Sequence, residues 1–396
     1  MYAKAVEQAV ARYTMNTGKV ISGQFTTTDG KKLVQGDITI EVDYDGNVIP
    51  ENIVVYNNGK IYLSNSTVDG TKTDYVYAEK IKNMLIESEN KEPATDEDKI
   101  YYTFLNTNIK SGNIETFQTH TNGINIPTGY DSTDCSYNQD KSVMCYWKEI
   151  ETDPGYYEMH IAANGEIYTP YDSTNLFYRL GYEKLEALDL NDFNTKYTVN
   201  MDTMFQATGY TKMTILNLGN KFDTSNVTNM DTMFQRTGYT KLESLNLGDK
   251  FDTSNVTNMR TMFQQTGYTK MTTLNLRDKF DTSKVTNMNS MFSRTGYKLL
   301  TSLDLGDKFD TSNVTDMNSM FFRTGRESLI TLNLRNKFTI PNNVDTTAMF
   351  SYCGTNGVLT NVIVPSEELK TKILGLGTDK VPQFWSTNNI IQVQTN

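Results

Sequence analysis

The side chains best suited to acid–base or metal chemistry are scarce in this chain of 396 residues. It has two histidines, His120 and His160, and three cysteines, Cys135, Cys145 and Cys353. A zinc site needs several nitrogen or sulfur ligands, and a catalytic triad needs a histidine beside its nucleophile. The histidines are isolated in the sequence, and no HExxH, Walker or Gly-rich cofactor motif occurs. We therefore predict no catalytic, cofactor-binding or metal-ligating residue, although 47 acids leave a carboxylate pair open.

The charge balance excludes a second class of function. The chain carries 37 Lys and Arg against 47 Asp and Glu, a net charge of −10. Nucleic-acid binders need a cationic excess to neutralise phosphates, so we predict no nucleic-acid partner. No run of about 18 apolar residues occurs, and we predict no membrane span. The length suggests two or three folded domains.

The abundant residues come from an internal repeat. The chain contains 18 methionines, 18 phenylalanines and 24 tyrosines, and a fixed period indicates a repeat architecture. Two phenylalanine columns recur every 29 residues: Phe193, Phe222, Phe251, Phe280, Phe309, Phe338; and Phe205, Phe234, Phe263, Phe292, Phe321, Phe350. The first and last units are degenerate, as expected where a stack must be capped.

Each unit combines two hydrophobic periods. Val256, Met259, Met262 and Phe263 fall on one face of a helix, after an Asp-Thr-Ser-Asn cap. The segment 273–276 alternates as a strand does, with both leucines facing inward. We therefore predict one strand and one short helix per unit.

Stacked units bury what a single unit cannot. The strands should pair in parallel and centre on Leu188–Leu190, Leu216–Leu218, Leu245–Leu247, Leu274–Leu276, Leu303–Leu305, Leu332–Leu334 and Val362–Val364. At about 4.8 Å per strand they give a solenoid ~29 Å long. The predicted fold class is an α/β leucine-rich-repeat-like solenoid, preceded by small α+β and antiparallel β regions.

The repeat resembles a known family. The run Phe-Asp-Thr-Ser-Asn-Val-Thr-Asn-Met-x-x-Met-Phe at 251–263, followed by Leu-x-x-Leu-x-Leu-type strands, is similar to BspA-like leucine-rich-repeat surface proteins of bacteria, over residues 160–365. The family unit is usually shorter, and it commonly has cysteine where Thr266 stands and where Cys353 keeps it. The resemblance implies export and attachment to host proteins, surfaces or other cells. It carries over no catalytic residue.

The amino-terminal part is built differently. Residues 2–13 carry a helical stripe, residues 38–42 alternate, and Asn57-Asn58-Gly59 between two apolar runs predicts a hairpin. This pattern, with a last strand near 75–77, predicts an α+β head that resembles the globular part of a Gram-positive type IV pilin-like protein. That family's processing site and long apolar helix do not precede Met1. Either the chain lacks that segment of a longer protein, or the resemblance is misleading.

Four regions follow from these patterns: 1–78, the pilin-like head; 79–160, a linker and small antiparallel sheet that caps the solenoid; 161–365, the repeat solenoid; and 366–396, a carboxyl-terminal cap. Cys135 and Cys145 lie at the predicted ends of two strands. In an exported protein they would form a disulfide worth ~2–3 kcal/mol. The alternative is two unrelated thiols, and Cys353 is expected to be single and buried beside Phe350.

A repeat also multiplies surface residues into columns. One outward strand column contains Asn217, Asn246, Asn275, Asp304 and Asn333, and a column after the turn glycines contains Tyr210, Tyr239, Tyr268 and Tyr297. Both are candidate binding faces, as solenoids often provide. The alternatives are a solvated face of stacked amides and tyrosines that pack over the turn. A Ca²⁺ site is disfavoured because no EF-hand or Gly-Gly-x-Gly-x-Asp loop appears.

These observations favour a non-enzymatic, extracellular bacterial surface protein. Its partners would be proteins or glycans on host or neighbouring cells, and pilus subunits if the head is pilin-like. A structural subunit with the solenoid as a spacer is the first alternative, and a glycan-acting enzyme is the second. No cofactor is expected in any of the three cases.

Overall fold

We describe the fold from a computed structural model of the chain. It describes residues 83–87, 104–105 and 107–394 in full, and the backbone of five strands between residues 26 and 63. The chain divides into two compact units, Met1–Lys82 and Asn83–Asn396.

The first unit contains an antiparallel sheet in sequence order. Its strands are β1 (Thr26–Thr27), β2 (Lys32–Gln35), β3 (Ile38–Glu41), β4 (Val54–Asn57) and β5 (Lys60–Leu63). The predicted hairpin is confirmed, because β4 and β5 pair with Asn57 opposite Lys60. The predicted helix at 2–13 and strand at 75–77 lie outside the described residues, so the α+β head stays a prediction.

The second unit begins with a four-stranded sheet in the order β6-β9-β8-β7. The strands are β6 (Ile114–His120), β7 (Asp131–Asp134), β8 (Val143–Glu149) and β9 (Tyr157–Ala163). The prediction of a purely antiparallel sheet is wrong, because β6 pairs with β9 in parallel. Strands β7, β8 and β9 form an antiparallel meander, which leaves one edge of β9 open for a strand entering in the same direction.

The rest of the second unit is a parallel β-solenoid of about eight turns with a period near 29 residues. Its short entry strands, β10 (Ile167–Tyr168) and β12 (Phe193–Asn194), pair with each other. The main sheet contains β11 (Ala187–Asp189), β13 (Ile215–Asn217), β14 (Ser244–Asn246), β15 (Thr273–Asn275), β16 (Ser302–Asp304), β17 (Thr331–Asn333), β18 (Asn361–Val364) and β19 (Ile391–Val393). The seven predicted parallel strands are confirmed, and β19 adds an eighth.

The predicted helix in each repeat is wrong. Between Met259 and Gln265 every second backbone N–H donates to the next coil; Thr261 bonds Asn289 at 2.8 Å, and Phe263 bonds Met291 at 2.9 Å. The intervening N–H groups of Met262 and Gln264 donate to the carbonyls three residues earlier, as in β-turns. In an α-helix they would donate to the carbonyls four residues earlier. Thr261 and Gln265 have φ of 53° and 60°, in the left-handed region. Such successive turns bury the same i, i+3, i+4 positions that a helix would bury.

Glycine substitution distinguishes these left-handed turns from a helix. Replacing Gln265 with glycine removes about 1–2 kcal/mol of left-handed strain, which offsets the extra entropy of the unfolded chain and the loss of the exposed hydrogen bond from Arg236 Nε to Gln265 Oε1. We expect Gln265→Gly to leave the free energy of unfolding within about 0.5 kcal/mol of the wild type, whereas a helix would lose about 1 kcal/mol. The measurement is urea unfolding of the full chain followed by tryptophan emission, because both tryptophans, Trp147 and Trp385, lie in the second unit.

The control is Lys270→Gly, an exposed position of the same repeat outside the left-handed region. It should cost about 0.5–1 kcal/mol. If Gln265→Gly costs as much as Lys270→Gly, the left-handed assignment is wrong.

The core consists of stacked columns. Phe234, Phe263 and Phe292 are fully buried, and successive rings lie nearly parallel with centroids 5.7 and 5.6 Å apart. A buried threonine column satisfies the backbone around them, as when the Thr266 hydroxyl donates to the Phe234 carbonyl at 2.6 Å. The threonine hydroxyl gives this buried carbonyl a second hydrogen bond, beside the one from the Thr237 N–H at 3.1 Å.

Two short helices and β19 cover the last coil. Helix α1 (Glu367–Leu374) begins at Ser366, whose side chain accepts from the Leu369 backbone N–H. Helix α2 (Phe384–Thr387) places Trp385 against Phe350, with ring centroids 5.1 Å apart. These contacts shield the terminal phenylalanine, which would otherwise face water.

Candidate functional site

The open face of the solenoid sheet is the first candidate site. In each three-residue strand the central leucine points inward, as Leu245 and Leu274 do, and its two neighbours point outward. One outward column consists of the predicted residues: Asp189, Asn217, Asn246, Asn275, Asp304 and Asn333. The structure therefore brings the predicted amide column together on one face.

The amide oxygens of this column have a structural role. Asn246 Oδ1 accepts from the Gly248 backbone N–H at 3.1 Å, and Asn275 Oδ1 accepts from that of Arg277 at 3.0 Å. Such Asx turns end each strand and start the next bend. What the column offers a ligand is its remaining amide donors, together with the exposed neighbours Ser244 and Thr273.

A polar cleft opens beside this face near the start of the solenoid. Its volume is 920 Å³, and Asn217, Asn246, Lys221, Lys250 and Arg277 are among the residues that line it. Within the cleft the Arg277 guanidinium donates from Nη2 to Asn246 Oδ1 at 2.8 Å. The cleft therefore presents fixed cationic and amide groups, which suit a polar ligand better than an apolar one.

Sequence reasoning missed two residues of the cleft, although the sequence contains a signal for one of them. Glu166 forms an ion pair with Lys221 at 2.8 Å and comes from the entry segment rather than from a repeat. Arg277 stands at a left-handed position, φ 64°, where the preceding repeat has Gly248 with φ 79°. When the repeats are aligned, Arg277 occupies a position where the preceding unit has glycine, and this difference is visible in the sequence.

The tyrosine column stacks ring on ring. Tyr210, Tyr239, Tyr268 and Tyr297 lie 4.6 Å apart between successive centroids, within 12° of parallel. The faces that could stack on a sugar are covered by neighbouring rings, so the ridge presents ring edges and hydroxyls. Burial and the adjoining tyrosines raise the pKa of Tyr239 to about 12. Its hydroxyl therefore remains neutral and can donate at physiological pH.

The two histidines, isolated in the sequence, meet in the structure. His120 Nε2 lies 3.0 Å from His160 Nδ1, and the Tyr146 ring stacks on His160 with centroids 4.6 Å apart. Parallel pairing of β6 with β9 creates this contact, which the 40-residue separation concealed. Burial, followed by the charge of His120, lowers the pKa of His160 against the opposing effect of Glu158. The lowered pKa favours the neutral form of His160, which packs in an aromatic cluster with Tyr146.

The cysteines follow their sequence interpretation. Cys135 and Cys145 form a disulfide with Cα atoms 5.8 Å apart, in the usual range for such a bond. Cys353 is free and fully buried, and burial raises the pKa of its thiol. A buried, protonated thiol behaves as a small apolar side chain rather than as a nucleophile.

Clusters of metal ligands and membrane-spanning helices are both absent from the part of the chain that the structure describes. There, no group of three or more His, Cys, Asp or Glu side chains is arranged to hold a metal ion. No helix among the same residues is both long and apolar enough to cross a membrane.

The fold and its repeated surface define a repeat solenoid protein. Residues 172–273 and 268–356 match the model of a family described as "Mycoplasma protein of unknown function, DUF285". The matched segments lie within the coils, and they fit a repeat surface protein. No curated protein and no solved structure matches the chain. The BspA-like and pilin-like resemblances stay predictions.

Proposed function

We propose that this chain is a non-enzymatic bacterial surface protein whose solenoid binds a macromolecule on host or neighbouring cells, as an adhesin or a pilus-associated module does. The observation that carries the proposal is the polar face that strands β14 to β17 present, with the 920 Å³ cleft beside it. Exposed Ser244, Thr273 and Ser302 repeat along that face at every coil. Extended concave or flat faces of this kind are what solenoid proteins commonly use for binding.

The disulfide supports a location outside the cytoplasm. Disulfides persist in oxidising compartments and are rare where thiols are kept reduced. The Cys135–Cys145 bond is buried between β7 and β8, with both residues fully inaccessible to solvent. A secreted or surface-displayed protein is the class in which such a bond is expected.

A structural subunit with the solenoid as a spacer is the second candidate. Its support is the extent to which surface columns satisfy one another, as in the stacked tyrosines and the Asx turns of Asn246 and Asn275. A ladder whose polar groups are already paired needs no ligand to be stable. A glycan-acting enzyme ranks third, and turnover of a polysaccharide panel would favour it.

Arrays of glycans and host proteins test the proposal with the full chain. We expect dose-dependent binding that is lost, by at least tenfold in affinity, in the triple variant Ser244→Gln, Thr273→Gln, Ser302→Gln. Larger side chains on these exposed strand positions should block contact with the sheet while leaving its inward leucines unchanged.

The matched control changes three exposed threonines of another column, Thr257→Gln, Thr286→Gln and Thr315→Gln. These positions share the 29-residue register but lie outside the strands of the sheet, so binding should stay within twofold of the wild type. The absence of binding on both arrays would contradict the binding role and favour the role as a spacer. Equal losses in the two triple variants would contradict the assignment of the face.

A further inference from the structure

The bend that carries the tyrosine column also carries a cluster of cations. We name it the basic edge, defined by nine residues: Arg179, Lys212, Arg236, Lys241, Lys270, Arg294, Lys298, Arg323 and Arg326. The same bends contain Lys184, which pairs with Asp153 at 2.6 Å, and four acids, Glu183, Glu186, Glu243 and Glu327. Nine cations against four carboxylates give a local excess of positive charge on a chain whose net charge is −10.

The ion pairs of the solenoid involve other cations, as in Arg260 with Asp231 at 2.9 Å and Arg335 with Asp304. Among the described residues, no ion pair involves any of the nine cations of the basic edge. Exposed lysines outside ion pairs, such as Lys241 and Lys270, attract an external polyanion, and the half-buried arginines add to that field.

Aromatic and amide neighbours hold several arginines of the edge in place. The Arg323 guanidinium lies 4.9 Å from the Phe322 ring centroid and 5.2 Å from that of Tyr352. Arg236 Nε donates to Gln265 Oε1 at 2.8 Å. Guanidinium groups that are ordered beforehand lose less entropy on binding, and they bind sulfate and carboxylate groups in a bidentate manner.

The spacing of the edge suits a linear ligand. Successive tyrosine rings lie 4.6 Å apart, so each coil advances the neighbouring cations by about the same step along the solenoid. The neutral hydroxyls of Tyr210, Tyr239 and Tyr268 form a parallel row of hydrogen-bonding groups beside them. Charges and hydroxyls in parallel rows match a polymer that carries both anions and hydroxyl groups.

We propose that the basic edge binds an anionic polysaccharide, a linear sugar chain with sulfate or carboxylate groups, laid along the solenoid axis. This inference rests on the proposed role as a binding module and names a ligand class and a second surface for it. Single-stranded nucleic acid is disfavoured because each tyrosine face is covered by the next ring, which leaves no platform for a base.

Heparin is the probe for the test, with hyaluronate, neutral dextran and a DNA duplex beside it. The intact chain should bind heparin more tightly than the duplex, should not bind dextran, and should lose affinity steeply as salt rises. The triple variant Lys212→Gln, Lys241→Gln, Lys270→Gln should weaken heparin binding at least tenfold. These three side chains are exposed, so their replacement should not disturb the core.

The chain offers a matched control in Lys279→Gln, Lys308→Gln, Lys337→Gln. These exposed lysines share the 29-residue register and the same change in net charge, they lie outside the cleft, and Lys279 and Lys308 are flanked by aspartates such as Asp278 and Asp281. Heparin affinity should change less than twofold. Equal losses in the two triple variants, no retention on heparin at low salt, or tighter binding of the duplex would each overturn the inference.

The same measurements separate this inference from the proposed function. Array binding that depends on Ser244, Thr273 and Ser302, without heparin binding, would leave the binding module standing and remove the basic edge from it. Heparin binding that survives the strand-face triple variant would place the two ligands on different surfaces. The absence of binding to the arrays and to heparin would contradict both the binding module and the basic edge.

Discussion

Replacing Phe263 with alanine is expected to lower the free energy of unfolding of the second unit by about 3–5 kcal/mol. The ring is fully buried, stacks between Phe234 and Phe292, and lies 6.2 Å from Phe280 in the other column. Its removal leaves a cavity in the middle of the stack. Neither neighbouring coil can move to fill this cavity without breaking its backbone hydrogen bonds to the next coil. Because repeats contact only their neighbours, the loss should also weaken coupling between the two ends.

The two tryptophans report on the two ends of the unit, so the weakened coupling between those ends can be measured. Trp147 lies in β8 at the start of the unit, and Trp385 packs on Phe350 at its end. We expect urea unfolding of Phe263→Ala to shift both transitions, with the Trp385 transition at the lower concentration. Ile215→Ala is the control, because Ile215 is 58% exposed and should change stability by less than about 0.5 kcal/mol. A loss below 1 kcal/mol in Phe263→Ala would contradict the stacked core.

Replacing Gly267 with alanine is expected to cost about 3 kcal/mol, from left-handed strain and overpacking together. Gly267 has φ of 51°, and a Cβ there would lie 2.4 Å from Met271 Cβ. Met271 cannot withdraw easily, because its N–H donates to the Gly267 carbonyl at 3.1 Å and its side chain is fully buried. Thermal or urea unfolding of the full chain, followed by tryptophan emission, measures the loss.

Gly248→Ala is the matched control for that prediction. Gly248 is also left-handed, at φ 79°, but a Cβ there would meet only the Gly219 carbonyl oxygen at 3.6 Å, an ordinary contact. Its substitution should therefore cost only the backbone strain of about 1–2 kcal/mol. Equal losses at the two glycines would show that the packing of Met271 contributes nothing, and the close approach of the bend to the core would be wrong.

Much of the solenoid follows from local sequence patterns. The 29-residue register predicted the parallel strands, as with Leu245 opposite Leu274, and the i, i+3, i+4 pattern identified Met259 and Phe263 as core residues. Burial depends on which side of the backbone a residue faces, and the sequence displays that directly. The spacing of Cys135 and Cys145 suggested a disulfide on the condition of export and left two free thiols open, and the structure shows the bond.

The candidate sites were predicted less completely than the fold. The amide column was placed correctly, but its oxygens close Asx turns, as Asn246 does with Gly248. The tyrosine column was also placed correctly, yet stacking at 4.6 Å removes the ring faces that a sugar would need. In both cases, the position of a side chain followed from the repeat, while its partners depended on the neighbouring coil.

The sequence by itself determined the period, the buried columns and the parallel sheet. Only the tertiary structure decided that left-handed turns replace the predicted helix, that His120 meets His160, and that the ion pairs among the described residues involve cations other than those of the basic edge. The physical reason is the same in each case. A helix and a stack of turns bury the same positions, and they differ in whether Thr261 donates within its own coil or to Asn289 of the next. Hydrogen bonds and charges between residues 29 or 40 apart leave no trace in local periodicity.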